Sequence, residues 1–118
     1  ASVRNIEKDV VYATRADLSV IEIEKAMPPG VLYAGYSAYK IKFKDVPADY
    51  SEVYVYGDGE GIRKRFSPSK SRPNVFVLKA AIEKMTIANI FVDLWNMKEW
   101  YAKDFLISLE KRIDGILE

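Results

Sequence analysis

Apolar residues recur along this chain with two different periods. Ser51-Glu-Val-Tyr-Val-Tyr-Gly57 alternates polar and apolar positions, and Asn74-Val-Phe-Val-Leu-Lys79 is a short apolar run rich in β-formers. Both predict strands. Val10-Val-Tyr-Ala13 predicts a shorter third. Other segments follow the helical period. Asp17 is a suitable N-cap for a helix carrying Leu18, Ile21, Ile23 and Met27, which Pro28-Pro29-Gly30 must end. Tyr33, Tyr36, Tyr39 and Phe43, with Leu32, Ala38 and Ile41 beside them, predict a helix over 31–43, although the aromatic content would also suit a strand. Asp45 to Asp49 reads as a loop, Gly57 to Gly61 as a turn, Ile62 to Phe66 as one or two helical turns, and Ser67 to Pro73 as a basic loop.

From Ala81 to Trp95 the apolar residues lie nearly all round the helix, which predicts a central, buried element. Lys98 to Leu117 is amphipathic, with Ala102, Leu106, Leu109, Ile113 and Ile116 as its stripe, widened by Phe105 and Leu117. Glu99 and Lys103 stand at the favourable i,i+4 spacing. Strands alternating with helices predict an α/β (α+β) domain: a small central sheet of about three strands covered by helices, ending in a C-terminal helical hairpin. Strand order is not readable from the pattern.

Composition narrows the chemistry. At 118 residues, 49% hydrophobic, the chain suits one globular domain over 1–118 with a genuine core. It opens at Ala1 rather than Met, which leaves room for an N-terminal domain ahead of it. Charged residues make up 30% but nearly cancel to +1, so binding to nucleic acid or an acidic partner would have to come from a local patch. There is no glutamine and only four asparagines, with Lys and Glu plentiful, the signature of a thermophilic source. No run approaches the roughly 20 apolar residues of a membrane span, so the expectation is a cytoplasmic protein with no membrane partner.

The absence of both cysteine and histidine excludes a disulfide frame, a thiolate or imidazole metal site, a cysteine nucleophile and a histidine general base. Gly57, Gly59 and Gly61 look superficially like a phosphate cradle, but Asp58 and Glu60 between them would repel phosphate, so a plain turn is favoured. Gly35, Ser37, Asp49 and Glu52 resemble the Gly-Ser turn and paired carboxylates of nucleotidyltransferases. Carboxylates three apart on a strand face opposite sides and could not share one metal. The expectation is therefore no metal, no cofactor and no catalytic residue.

Recognition residues remain. Arg63, Lys64, Arg65, Lys70 and Arg72 form a basic run that could hold a phosphate backbone or an acidic partner, or could equally be a solvated rim. Tyr36 and Tyr39 could add to a partner interface or half-bury at the core edge. Trp95 and Trp100 could anchor a homodimer or close the helical hairpin internally. Asp93, alone in the most apolar helix, needs a partner such as Lys84, Lys98 or Arg112 and reads as a structural charge.

Leu32-Tyr-Ala-Gly-Tyr-Ser-Ala-Tyr39, Ser51-Glu-Val-Tyr-Val-Tyr56, Asn74-Val-Phe-Val-Leu78 and Ile90-Phe-Val-Asp-Leu94, followed by a terminal amphipathic helix, together resemble the C-terminal part of AbiEi-like proteins. These are the winged-helix regulators, or antitoxins, of type IV abortive-infection systems. The resemblance spans about residues 31–117. The chain departs from the family where Ala88-Asn89 replaces a usual Glu-Arg pair, and the family's N-terminal winged helix is not found within these residues. The resemblance implies a non-enzymatic regulatory or binding domain linked to nucleic acid or to a toxin. A nucleotidyltransferase-like domain and a homo-oligomeric structural module are the alternatives.

Overall fold

A computed structural model describes residues 8–57, 59–79 and 84–117, with side chains up to Gly115. Asp58 of the glycine turn, the helical start expected at Ala81 and the side chains of Ile116 and Leu117 lie outside the described residues. The elements run β1 (Val10–Thr14), α1 (Val20–Ala26), β2 (Leu32–Ala34), α2 (Gly35–Phe43), β3 (Val53–Tyr56), α3 (Gly59–Arg65), β4 (Val75–Leu78), α4 (Ile87–Asn96) and α5 (Ala102–Leu117). The strands form one mixed sheet in the order β1-β4-β3-β2, so the fold is α+β with four strands rather than three. β3 and β4 pair in parallel at its centre, with Val53 opposite Val75 and Tyr56 opposite Leu78. β1 runs antiparallel to β4, and β2 antiparallel to β3.

The strand that the pattern concealed is β2. Tyr33 fits the helical spacing of Tyr36 and Tyr39, yet Leu32, Tyr33 and Ala34 pair with Tyr56, Val55 and Tyr54. Gly35 makes the change from strand to helix. Its φ of +54° lies in the left-handed region, and a Cβ there would strike the Sδ and Cε atoms of Met97. The conformation is what requires glycine, since the tip of the Met97 side chain could move aside.

The period of two along β3 and β4 sorts their side chains onto two buried faces. Val53, Val55, Val75 and Val77 pack with Ile23 and Met27 from α1 and its cap, Ile62 of α3, and Phe66. Tyr54, Tyr56, Phe76 and Leu78 pack with Tyr36 and Tyr39 of α2, Ile90 and Leu94 of α4, and Phe105 and Leu109 of α5. α1 and α3 therefore cover the valine face, and α2, α4 and α5 the aromatic face. Four buried positions in each central strand explain why these runs were the clearest in the sequence.

Two helix expectations need correction. α1 is capped by Ser19 rather than Asp17: the Ser19 hydroxyl accepts from the Glu22 amide at 3.3 Å, while the Glu22 carboxylate accepts from the Ser19 amide at 3.2 Å. α4 is not buried all round. Ile90, Asp93 and Leu94 face the core, but Trp95 is 62% exposed. α2 and α5 pack against α4, Ile87 and Phe91 are half-buried against the core, and Trp95 projects outward, stacked on Phe91 at 6.1 Å between ring centroids.

Candidate functional site

Because β3 and β4 are parallel and β1 is antiparallel to β4, three chain segments meet at one end of the sheet. Residue 15 leaves β1 there, Glu52 leads into β3, and Arg72-Pro73 lead into β4. Asn74 ties two of them together. Its side chain accepts from the Ala16 amide at 2.8 Å and donates to the Ala16 carbonyl at 2.9 Å, while its own amide donates to the Thr14 carbonyl at 3.0 Å. Arg15 is thus held between two residues bonded to Asn74, two positions after Arg72. The turn from α4 to α5 closes the other side.

The result is a cleft of about 490 Å³ lined by Arg15, Ser51, Glu52, Arg72, Pro73, Lys98, Glu99, Trp100 and Tyr101. Arg15 and Arg72 are exposed, and neither makes an ion pair among the described residues. Trp100 stands at the lip, 80% exposed, edge-on to Tyr101 at 5.4 Å between centroids.

The cleft's two carboxylates are held differently. Glu99 accepts from the Tyr36 hydroxyl at 2.9 Å and from the Tyr54 hydroxyl at 3.0 and 3.1 Å to its two oxygens. Burial, and then the charge of Glu99, raise the Tyr36 hydroxyl well above the usual tyrosine pKa, so it stays a donor. Glu52 accepts from the neighbouring Ser51 hydroxyl at 3.2 Å through Oε2, but its Oε1 is buried with no hydrogen-bond partner. Burial first and the Glu99 charge second raise the Glu52 pKa, against smaller opposing pulls from Ser51 and Arg72. The Ser51 amide donates to the Tyr101 hydroxyl at 3.3 Å, which joins the β3 entry to the α4–α5 turn. The arrangement sets two arginines outside any ion pair among the described residues next to a carboxylate oxygen that lacks a donor among them, and both beside an exposed indole.

The basic run does not form one patch. Arg63 lies over the Tyr12 ring at 4.8 Å, on the β1 side of α3, while Arg65 donates to the Ala26 carbonyl at the end of α1. Lys64 and Lys70 are exposed. Of the five, only Arg72 lines the cleft. Tyr36 and Tyr39, expected either at a partner interface or half-buried at the core edge, are fully buried. Their rings fill the space between α2 and α5: Tyr36 packs on Phe105 at 4.9 Å, and Tyr39 bonds Ser108 and Arg112 through its hydroxyl.

Asp93 is 1% exposed and accepts from the Tyr56 hydroxyl at 2.8 and 2.9 Å. Arg112, one of its expected partners, bonds Asp45 and Tyr39 instead. Glu99 is engaged by tyrosines rather than by Lys103, because α5 begins only at Ala102. Asp49 and Glu52 precede β3 rather than lying on it. Asp49 is exposed, Ser37 is buried in α2, and of Gly35, Ser37, Asp49 and Glu52 only Glu52 lines the cleft. Among the described residues no group of three or more carboxylates could hold a metal ion.

Arg15, Lys98 and the role of Asn74 were not legible as a site, since they are far apart in sequence. A signal that would have pointed to Glu99 is the pair Tyr54 and Tyr56. Two tyrosines on one buried strand face need acceptors for their hydroxyls, and the carboxylates of the last helical segments supply them.

No family model, curated protein or solved structure matches this chain. Among the described residues no helix is long and apolar enough to cross a membrane.

Proposed function

We propose that this chain is a non-catalytic recognition domain that binds a nucleic-acid strand at the cleft on the sheet end, as part of a regulator of the antitoxin type. The observation that carries this reading is Arg15 and Arg72: two exposed arginines without ion-pair partners among the described residues, brought from the flanks of separate strands to one cleft. Guanidinium groups outside an ion pair at a concave surface suit phosphate, which they can bond bidentately. Lys98 adds a third positive charge to the lining, and Trp100 adds a stacking surface of the kind single-strand binders use. The resemblance of residues 31–117 to AbiEi-like regulators supports the same role.

Salt-dependent binding of single-stranded oligonucleotides tests it. The wild type should bind, and Arg15→Glu with Arg72→Glu should weaken binding on the order of tenfold or more and reduce the salt slope by about 2. Lys64→Glu, outside the cleft, should have a smaller effect. Binding that ignores the cleft pair would overturn the reading.

A second reading rests on Trp95, exposed and stacked on Phe91 along the outer face of α4. Through that face the chain would self-associate. Sedimentation of the wild type and Trp95→Asp separates the two: a monomer in both cases removes self-association.

A further inference from the structure

The two carboxylates are out of place in a groove that binds phosphate alone. Glu99 is answered by Tyr36 and Tyr54, but Glu52 Oε1 is not answered by any donor among the described residues. A ligand that fits must carry anionic groups for Arg15 and Arg72 and donors for Glu52. Building on the recognition reading above, we infer that the cleft reads an unpaired guanine in a single strand, with Glu52 as the specificity-determining residue and Trp100 as the stacking platform.

The choice of base follows from donor patterns. Guanine's Watson–Crick edge carries two adjacent donors, the N1–H and the 2-amino group, which match the two oxygens of one carboxylate. Adenine and cytosine set an acceptor beside their amino group, and uracil or thymine flanks its one N–H with two carbonyls. A carboxylate repels each of those acceptors. Single-stranded bases are commonly read on this edge while stacked on an aromatic side chain. Trp100, at the lip and 80% exposed, is available for that.

A neutral donor suits the lining. Arg15 and Arg72 stand in the same cleft as Glu52 and oppose a cationic side chain entering beside them. Base N–H groups carry no charge. Oε1 is buried, so the base reaches it as the Glu52 side chain turns outward. Among the described residues only its neighbour Ser51 restrains the carboxylate by a hydrogen bond.

The experiment uses Trp95→Phe protein, in which fluorescence reports Trp100 alone, and short thymidine strands carrying one central guanine, adenine, cytosine or hypoxanthine. Free guanosine monophosphate and a lysine-rich peptide are further arms. The guanine strand should quench Trp100 and bind on the order of tenfold tighter than the all-thymidine strand. Hypoxanthine, which lacks the 2-amino group, should lose part of that gain. Glu52→Gln should bring the guanine-to-thymidine ratio close to one.

Equal affinity for all strands would defeat the guanine inference and leave the recognition reading intact. No binding by any strand would defeat both. Free guanosine monophosphate binding as tightly as the strand would keep the guanine contact and remove the strand. Displacement of strands by the basic peptide, with loss on Glu52→Gln, would overturn the inference in favour of a protein partner. The base series is read on protein with Glu52 in place, so it does not depend on how that variant folds.

Discussion

On β3 and β4, Val53, Val55, Val75 and Val77 meet α1 and α3, while the residues between them, Tyr54, Tyr56, Phe76 and Leu78, meet α2, α4 and α5. Both faces are buried, but they do different things. The four valines contribute by apolar burial alone, and the side-chain hydrogen bonds on their side come from the flanking strands and tie down loop and helix carbonyls, Tyr12 to Phe66 at 2.7 Å and Thr14 to Ser67 at 2.6 Å. On the aromatic face Tyr54 stacks on Phe76 at 4.5 Å, and the tyrosine hydroxyls reach outward to carboxylates, Tyr54 to Glu99 in the α4–α5 turn and Tyr56 to Asp93 in the last turn of α4. Those bonds fix the α4–α5 region over the sheet and so shape the cleft. One face of the sheet holds the fold together, and the other also aims the polar groups of the site.

The comparison can be broken most strongly by truncation. Phe105→Ala removes a fully buried ring touching Tyr36, Tyr39 and Tyr50 and should cost about 4 kcal/mol. Val55→Ala on the opposite face should cost roughly 2 kcal/mol, because fewer carbons are lost. Denaturant unfolding of both variants checks the ratio; equal losses would mean that the two layers are packed equally tightly.

Hydroxyl deletion is the sharper test. Tyr56→Phe leaves the buried Asp93 carboxylate without that donor and should cost about 2 kcal/mol. Tyr54→Phe should cost about 1 kcal/mol, since Glu99 keeps the Tyr36 hydroxyl and faces the cleft. Tyr54→Phe should nevertheless change ligand binding more than Tyr56→Phe does, a reversal that a purely structural role for both hydroxyls would not produce.

The smallest effect is a pH dependence. Glu52 has its folded pKa above the unfolded value, chiefly through burial. In the folded state it therefore holds its proton more tightly, and its contribution to stability falls as pH rises from the ordinary carboxylate range through the folded value. Glu52→Gln should raise the melting temperature at neutral pH and leave it unchanged well below the carboxylate range. Melting curves across that window read the sign directly.

Much of the architecture was legible because local patterns carried it. Alternation marked β3 and β4, the Pro28-Pro29-Gly30 stop fell just past α1, and the stripe from Ala102 through Leu109 is the buried face of α5. β2 was hidden because a strand of three residues is too short to show a period, and Tyr33 matched the helix that follows it. The outer face of α4 was misread because periodicity reports how apolar a helix is, not how many neighbours exist to cover it.

The chain's own chemistry determined that no imidazole or thiol takes part, that the two central strands are buried on both sides, and that a glycine stands where strand turns into helix. Tertiary structure alone decided that Arg15, Glu52, Arg72 and Glu99 line one cleft. The physical reason is that their meeting depends on strand order and direction. Parallel pairing of β3 with β4, flanked by antiparallel β1, brings three distant chain segments to the same sheet end, and no local pattern encodes that order.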